Sequence, residues 1–187
     1  HNGNLINAQV LRHELEAYGA IFQSTSDSEV IIHLIAHSRA DTLLARIIDA
    51  LSQVRGAFSV VLQTDDGIIA VRDPHGFRPL CLGRLGDTYL VASETCAFDL
   101  LGADIVREIE PGELVVLNDK GVTSHKPFAP ASPAMCVFEY VYFARPDSKI
   151  FGANAVYVTR KALGRQLALE SSVPADIVIP VPDSGVP

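Results

Sequence analysis

GAFSVVLQTDDGIIAVRDPHGFRPLCLGRLGDTYLVASE, residues 56–94, is a succession of short β-type runs at 57–63, 68–72, 79–83 and 89–92. Asp66-Gly67, His75-Gly76 and Gly86-Asp87 punctuate them. Runs spaced this closely are joined by hairpins, so the stretch predicts an antiparallel sheet. Residues 97–101 read as one or two helical turns, and two further strands flank Pro111-Gly112, ending at Asp119-Lys120-Gly121.

Upstream, the texture is helical. After an opening turn, residues 5–18 place Val10, Leu11 and Leu15 on one face, with Gly19 as the stop. Residues 21–23 read as a short strand. Ser26-Asp27-Ser28-Glu29 has the capping-box pattern, Ser26 at the N-cap and Glu29 reaching back to it. That helix carries Val30, Ile31, Leu34 and Ile35; the next, capped by Asp41, carries Leu44, Ile47, Ile48 and Leu51. Helices beside an antiparallel sheet predict an α+β layered domain.

Downstream, Pro127, Pro130 and Pro133 mark a linker between 124 and 135. Residues 136–143 read as a strand, 145–148 as a turn, 156–171 as a helix and 176–181 as an apolar strand. Helix followed by buried strand is how a parallel α/β domain begins. The sequence divides into a first domain over 1–125 and the linker with the beginning of a second over 126–187.

Bulk properties narrow the function classes. The chain has 187 residues, 48% of them hydrophobic, which suits a packed core. Its formal charge of -7 opposes a phosphate backbone and argues against nucleic acid as partner. Cys81, Cys96 and Cys136 show no metal-type spacing, and an odd, scattered set suits a reducing compartment. The absence of a signal peptide and of a long apolar run predicts a cytoplasmic protein with no membrane partner. The chain opens His1-Asn2-Gly3-Asn4 without Met, so it is expected to be processed or to lack its beginning.

Five segments together resemble the amidophosphoribosyltransferases: HNGN at 1–4, SDSE at 26–29, RDPHGFRPL at 72–80 with VASE at 91–94, CVFEYVYFARPDS at 136–148, and VPDSG at 181–185. The first three are shared with asparagine synthetases and other enzymes carrying the same glutaminase domain; EYVYFARPDS is specific. The resemblance implies an N-terminal-nucleophile hydrolase fold, two antiparallel sheets between helix layers, followed by a phosphoribosyltransferase domain. It implies de novo purine synthesis: ammonia from glutamine displaces pyrophosphate from phosphoribosyl pyrophosphate, giving 5-phosphoribosylamine. Purine nucleotides as feedback inhibitors and a homo-oligomer follow from the same resemblance. The alternatives are another class II amidotransferase such as asparagine synthetase, or a non-catalytic relative with a binding role.

Each implied role has a structural counterpart. Asn2-Gly3 is a favoured hairpin pair; the family uses these residues as oxyanion donors to the tetrahedral amide. Asp27 complements a helix dipole; the matching family Asp holds glutamine's α-amino group. The 73–76 stretch reads as a structural β-turn, and His75 has no nucleophile near it. Glu94 follows a strand and is expected in the glutamine pocket. Tyr140, Tyr142 and Arg145 fall at the domain junction. Cys136 fits a buried core position; some family members bind a 4Fe–4S cluster through four cysteines, one at this place. Ser184 lies in a segment that the family associates with Mg²⁺, while its own sequence reads as a strand-to-loop turn. The family's terminal Cys nucleophile, its Arg clamp for the glutamine carboxylate and its pyrophosphate-binding loop match nothing in the 187 residues, so the chain alone is expected to be inactive.

Overall fold

The computed structural model describes residues 1–152 and 154–187. The chain divides into two compact units, one of residues 1–77 with 110–134 and the other of 78–109 with 135–187.

The first unit is built on a five-stranded antiparallel sheet ordered β1-β2-β3-β7-β8. Its strands are β1 (Asn2–Leu5), β2 (Gly56–Thr64), β3 (Gly67–Arg72), β7 (Leu114–Asn118) and β8 (Gly121–His125). The helices α1 (Ala8–Ala17), α2 (Ser28–His37) and α3 (Leu43–Gln53) lie between β1 and β2 in sequence. One core joins them: Phe58, Val60, Ile69, Val71 and Leu114 from alternating strand positions meet Leu11, Leu15, Val30, Ile31, Leu34, Ile47 and Leu51. Period two on the strands and three to four on the helices is what brings these residues onto facing surfaces. Each fully buried Val, Leu or Ile contributes about 1.5–3 kcal/mol, so the three buried residues of α2 fix that helix. Phe128, from the Pro-rich stretch, packs on the same core with its ring edge-on to Phe58.

The second unit holds a three-stranded antiparallel sheet, β5-β4-β6, of β4 (Cys81–Leu85), β5 (Thr88–Ala92) and β6 (Asp104–Glu108). Helix α4 (Cys96–Leu101) lays the Phe98 ring directly on Gly83, where a Cβ would come within 2.7 Å of the ring. A π-helical turn, Glu139–Phe143, and α5 (Val156–Glu170) complete the unit.

Several sequence expectations are corrected. Asn2-Gly3 is not a turn: it begins β1, and α1 starts at Ala8 rather than at 5. Residues 21–23 form no strand, and the capping box does not close. Glu29 instead accepts from the Gln23 and Ser24 backbone N–H groups at 2.7 and 2.9 Å and from the Ser24 hydroxyl at 2.6 Å. Those bonds, the Ser24 hydroxyl foremost, hold its carboxyl down at about 2. Thr42, not Asp41, caps α3, its hydroxyl accepting from Ala45 N–H at 3.2 Å.

Residues 136–143 do not form a strand. Their aromatic and β-branched content favours a pleated surface only where a neighbouring strand is present. Here the buried Arg160 of α5 donates to the carbonyls of Tyr140 and Ala144, both at 2.7 Å, which satisfies the end of a helical turn. Residues 176–181 also lack strand structure; Ile177, Val178 and Ile179 are exposed, and among the described residues no strand pairs with them to form the ladder bonds that define a strand. Beyond the strands expected from the sequence, Gly121 and the following Val-Thr-Ser-His form β8, the return of a hairpin with β7.

Candidate functional site

Three of the sequence-predicted residues converge at β1. This strand pairs antiparallel with β2, Asn2 opposite Ser59, Gly3 opposite Phe58 and Asn4 opposite Ala57. Gly3 has φ +150°, and a Cβ built on it would lie 2.0 Å from the Ala57 carbonyl oxygen. No other residue type fits that approach without displacing β2.

Asp27 reaches the same strand from the start of α2. It occupies the N-cap position but makes no capping bond. Its Oδ2 accepts the Leu5 backbone N–H at 2.8 Å, and its Oδ1 lies 3.5 Å from His1 Nδ1. One carboxylate therefore holds the backbone at Leu5, the last residue of β1, and faces the side chain of His1, which precedes the strand; Asn2 and Gly3 lie between these two residues in sequence. His1 Nε2 also lies 3.5 Å from the Ala57 carbonyl oxygen. Oδ2 is committed to the backbone, while Oδ1, whose partner among the described residues is the distant imidazole, is able to accept from a ligand cation.

The remaining predicted residues belong to the second unit. Glu94 Oε2 accepts from Arg145 N–H at 2.8 Å and from the Ser148 hydroxyl at 2.7 Å. That oxygen ties the VASE segment to ARPDS. Cys136 is half-buried with a free thiol. Ser184 lies in a turn closed by Gly185 N–H to the Val181 carbonyl at 3.1 Å. Among the described residues, no group of three or more His, Cys, Asp or Glu side chains could hold a metal ion.

Two buried acids went unnoticed in the sequence. Asp73 is fully buried; burial pushes its carboxyl up, against bonds from the backbone N–H groups of His75, Phe58 and Phe77. Glu139, 1% exposed, lies 2.6 Å from Arg78 Nε, whose guanidinium stacks on the Phe143 ring at 4.3 Å. Burial raises the Glu139 carboxyl, Arg78 opposes that, and Glu94 adds to it. An Asp before Pro reads as a turn residue and a Glu in an aromatic run as an exposed one, so neither carried a signal of burial.

Residues 1–99 match the glutamine amidotransferase domain family, which accounts for more than half of the chain. The chain belongs to that family. Over its whole length it is 49% identical to the amidophosphoribosyltransferase of Bacillus subtilis (strain 168), covering 39% of that protein. It is 50% identical over 187 residues to the amidophosphoribosyltransferase of Staphylococcus aureus (strain Mu50), covering 38%. Amidophosphoribosyltransferase 2, chloroplastic, of Arabidopsis thaliana is 49% identical, with 33% covered. Among solved structures, the B. subtilis glutamine phosphoribosylpyrophosphate amidotransferase complexed with ADP and GMP superposes with a TM-score of 0.93 at 48% identity; the match covers 99% of this chain and 40% of that one.

The chain thus spans about two fifths of the bacterial relatives it matches. The likeness carries through residues 136–148, beyond residue 99 where the match to the domain family ends. The fold is the antiparallel α+β fold of these glutamine amidotransferases, as the resemblance implied; among the described residues, no following phosphoribosyltransferase domain takes shape. No described helix is long and apolar enough to cross a membrane.

Proposed function

We propose that this chain is the glutaminase part of an amidophosphoribosyltransferase, together with the opening of its transferase part. The observation that carries the reading is β1 held by Asp27. Asn2 and Gly3 sit on a strand that pairs with β2 over residues 2–5 and is tied at Leu5 by the Asp27 carboxylate. Donors held this rigidly need no reorganisation when the amide oxygen of glutamine becomes anionic, which is the condition for stabilising a transition state. The second oxygen of Asp27 receives the α-ammonium group of glutamine.

In the full-length protein the attacking group is the thiol of an amino-terminal cysteine, with its own α-amino group as base. Attack gives a tetrahedral intermediate, collapse releases ammonia and leaves a thioester, and water frees glutamate. Ammonia then displaces pyrophosphate from phosphoribosyl pyrophosphate, giving 5-phosphoribosylamine. Cys81 is unsuited to the nucleophile's role because it is fully buried in β4.

The division into a glutaminase domain at 1–125 and a following domain from 126 belongs to this proposal, as do purine nucleotides as effectors and assembly into a homo-oligomer. The compartment is the cytoplasm, or the plastid in a host whose enzyme is directed there. Magnesium and a 4Fe–4S cluster do not fit the residues present: among the described residues neither Ser184 nor Cys136 stands in a group of three or more His, Cys, Asp or Glu side chains able to hold a metal ion.

Asn2→Ala in the full-length protein tests the reading. Glutamine-dependent turnover should fall about 10²–10³-fold while turnover with free ammonia stays. Equal loss with both nitrogen sources overturns it.

A further inference from the structure

We infer that Asp73 is a positioning residue for the oxyanion donors, holding the Ala57–Phe58 peptide whose carbonyl oxygen faces Gly3. The inference rests on the proposed role of Asn2 and Gly3.

The link runs through a single peptide plane. Phe58 N–H donates to Asp73 Oδ2 at 3.3 Å. The carbonyl of the same peptide belongs to Ala57, and in a trans peptide it points opposite to the N–H. That carbonyl oxygen is the atom a Gly3 Cβ would strike at 2.0 Å. Asp73 on one side and Gly3 on the other therefore share one planar group. Any tilt of this plane moves the surface against which Gly3 rests and changes where its N–H is aimed.

Asp73 is itself held from every side. Its Oδ1 accepts from His75 N–H at 2.9 Å and its Oδ2 from Phe77 N–H at 3.2 Å. Its own N–H donates to the Phe58 carbonyl at 2.8 Å, and its carbonyl accepts from Gly76 and Gly112 N–H at 3.0 and 2.9 Å. Asp73 thus fixes Phe58 through both N–H and C=O. It lies at the end of β3, adding one more rung beyond the Ser59–Arg72 pair. Being fully buried, it does not meet substrate. Its action on the reaction passes through β2 to β1. A buried carboxylate is a costly way to close a turn that Asn or Ser closes in an exposed setting, and rigid placement of a strand gives it a use.

The test compares full-length wild-type protein with Asp73→Asn, which puts an amide N–H₂ where one carboxylate oxygen had accepted. The expected result is a fall of about tenfold to a hundredfold in kcat for glutamine hydrolysis, the scale of a small misplacement of reacting groups. KM for glutamine and turnover with free ammonia should be unchanged. Inhibition by glutamate γ-semialdehyde, whose adduct with the thiol carries an oxyanion, should weaken by the same factor as kcat, and inhibition by glutamate should not. Unchanged kcat, or equal loss of the ammonia-dependent reaction, overturns the assignment. If Asp73→Asn does not fold, Asp73→Glu, which keeps the charge and displaces it by one methylene, goes through the same comparison with the same criteria. A wild-type protein that hydrolyses no glutamine overturns the underlying reading, and this assignment with it.

Discussion

The hydroxyl of Ser148 donates to Glu94 Oε2 at 2.7 Å, and the neighbouring Arg145 N–H reaches the same oxygen at 2.8 Å. Lys149 N–H adds a bond of 2.8 Å to the Thr95 hydroxyl. Glu94 and Thr95 lie inside the family match, which ends at residue 99, whereas 145–149 lie downstream of it. Two sequence motifs that looked separate are therefore one hydrogen-bonded unit. Glu94→Ala leaves the Arg145 N–H and the Ser148 hydroxyl, with the weaker Cys96 thiol, without their acceptor, at a cost of about 1–3 kcal/mol, and should lower the thermal midpoint. Ser148→Ala should cost less, since Arg145 N–H keeps its partner. The combined variant should be no worse than Glu94→Ala alone. Calorimetry on the three proteins checks this; a fully additive loss would mean that the two side chains act separately.

The Arg78–Glu139 pair makes a prediction whose sign depends on pH. Arg78→Met removes the cation and leaves Glu139 buried without its charge partner, a change that costs about 3–5 kcal/mol in comparable cases. The Glu139 carboxyl, already raised by burial, rises further once Arg78 is gone. A group whose folded pKa lies above its unfolded value favours folding most below the unfolded pKa, and that advantage is lost as pH rises through the folded one. The stability gap between variant and wild type should therefore be widest at neutral pH and narrow as the solution is acidified toward the ordinary Glu range. Urea titrations across that range measure it. A gap that widens on acidification would show that Glu139 is not the charge responsible.

The antiparallel sheets and most helices were legible because they rest on local signals. In 56–94, turn pairs and alternation gave β2 to β5 within two residues, and the 3.6-residue period gave α1 to α3. What failed depended on partners distant in sequence. Glu29 was expected to cap its own helix but is drawn to Ser24 and Gln23. The 136–143 run has β-type composition but meets Arg160 and Arg78 rather than another strand. Asp27 was legible only as a residue that a family uses. Its grip on Leu5, twenty-two positions away, has no trace in the SDSE pattern, and neither does the burial of Asp73.

That grip makes Asp27→Asn and Asp27→Ala differ in an informative way. Asn retains a carbonyl oxygen that can accept Leu5 N–H, so β1 should keep its place. It loses the negative charge facing His1 and, by the proposal, the α-ammonium group of glutamine. A charge-assisted hydrogen bond contributes roughly 1.5–3 kcal/mol, so KM for glutamine should rise about tenfold to a hundredfold. Because the bond exists in ground and transition states alike, kcat should change little. Ala removes the acceptor as well, freeing the end of β1, and should lower kcat together with the rise in KM. Steady-state kinetics of both full-length variants separate the two functions of one carboxylate. A collapse of kcat in Asp27→Asn with KM unchanged would make Asp27 a participant in bond-making rather than a substrate anchor. Identical behaviour of Asn and Ala would mean that the Leu5 contact has no part in holding β1.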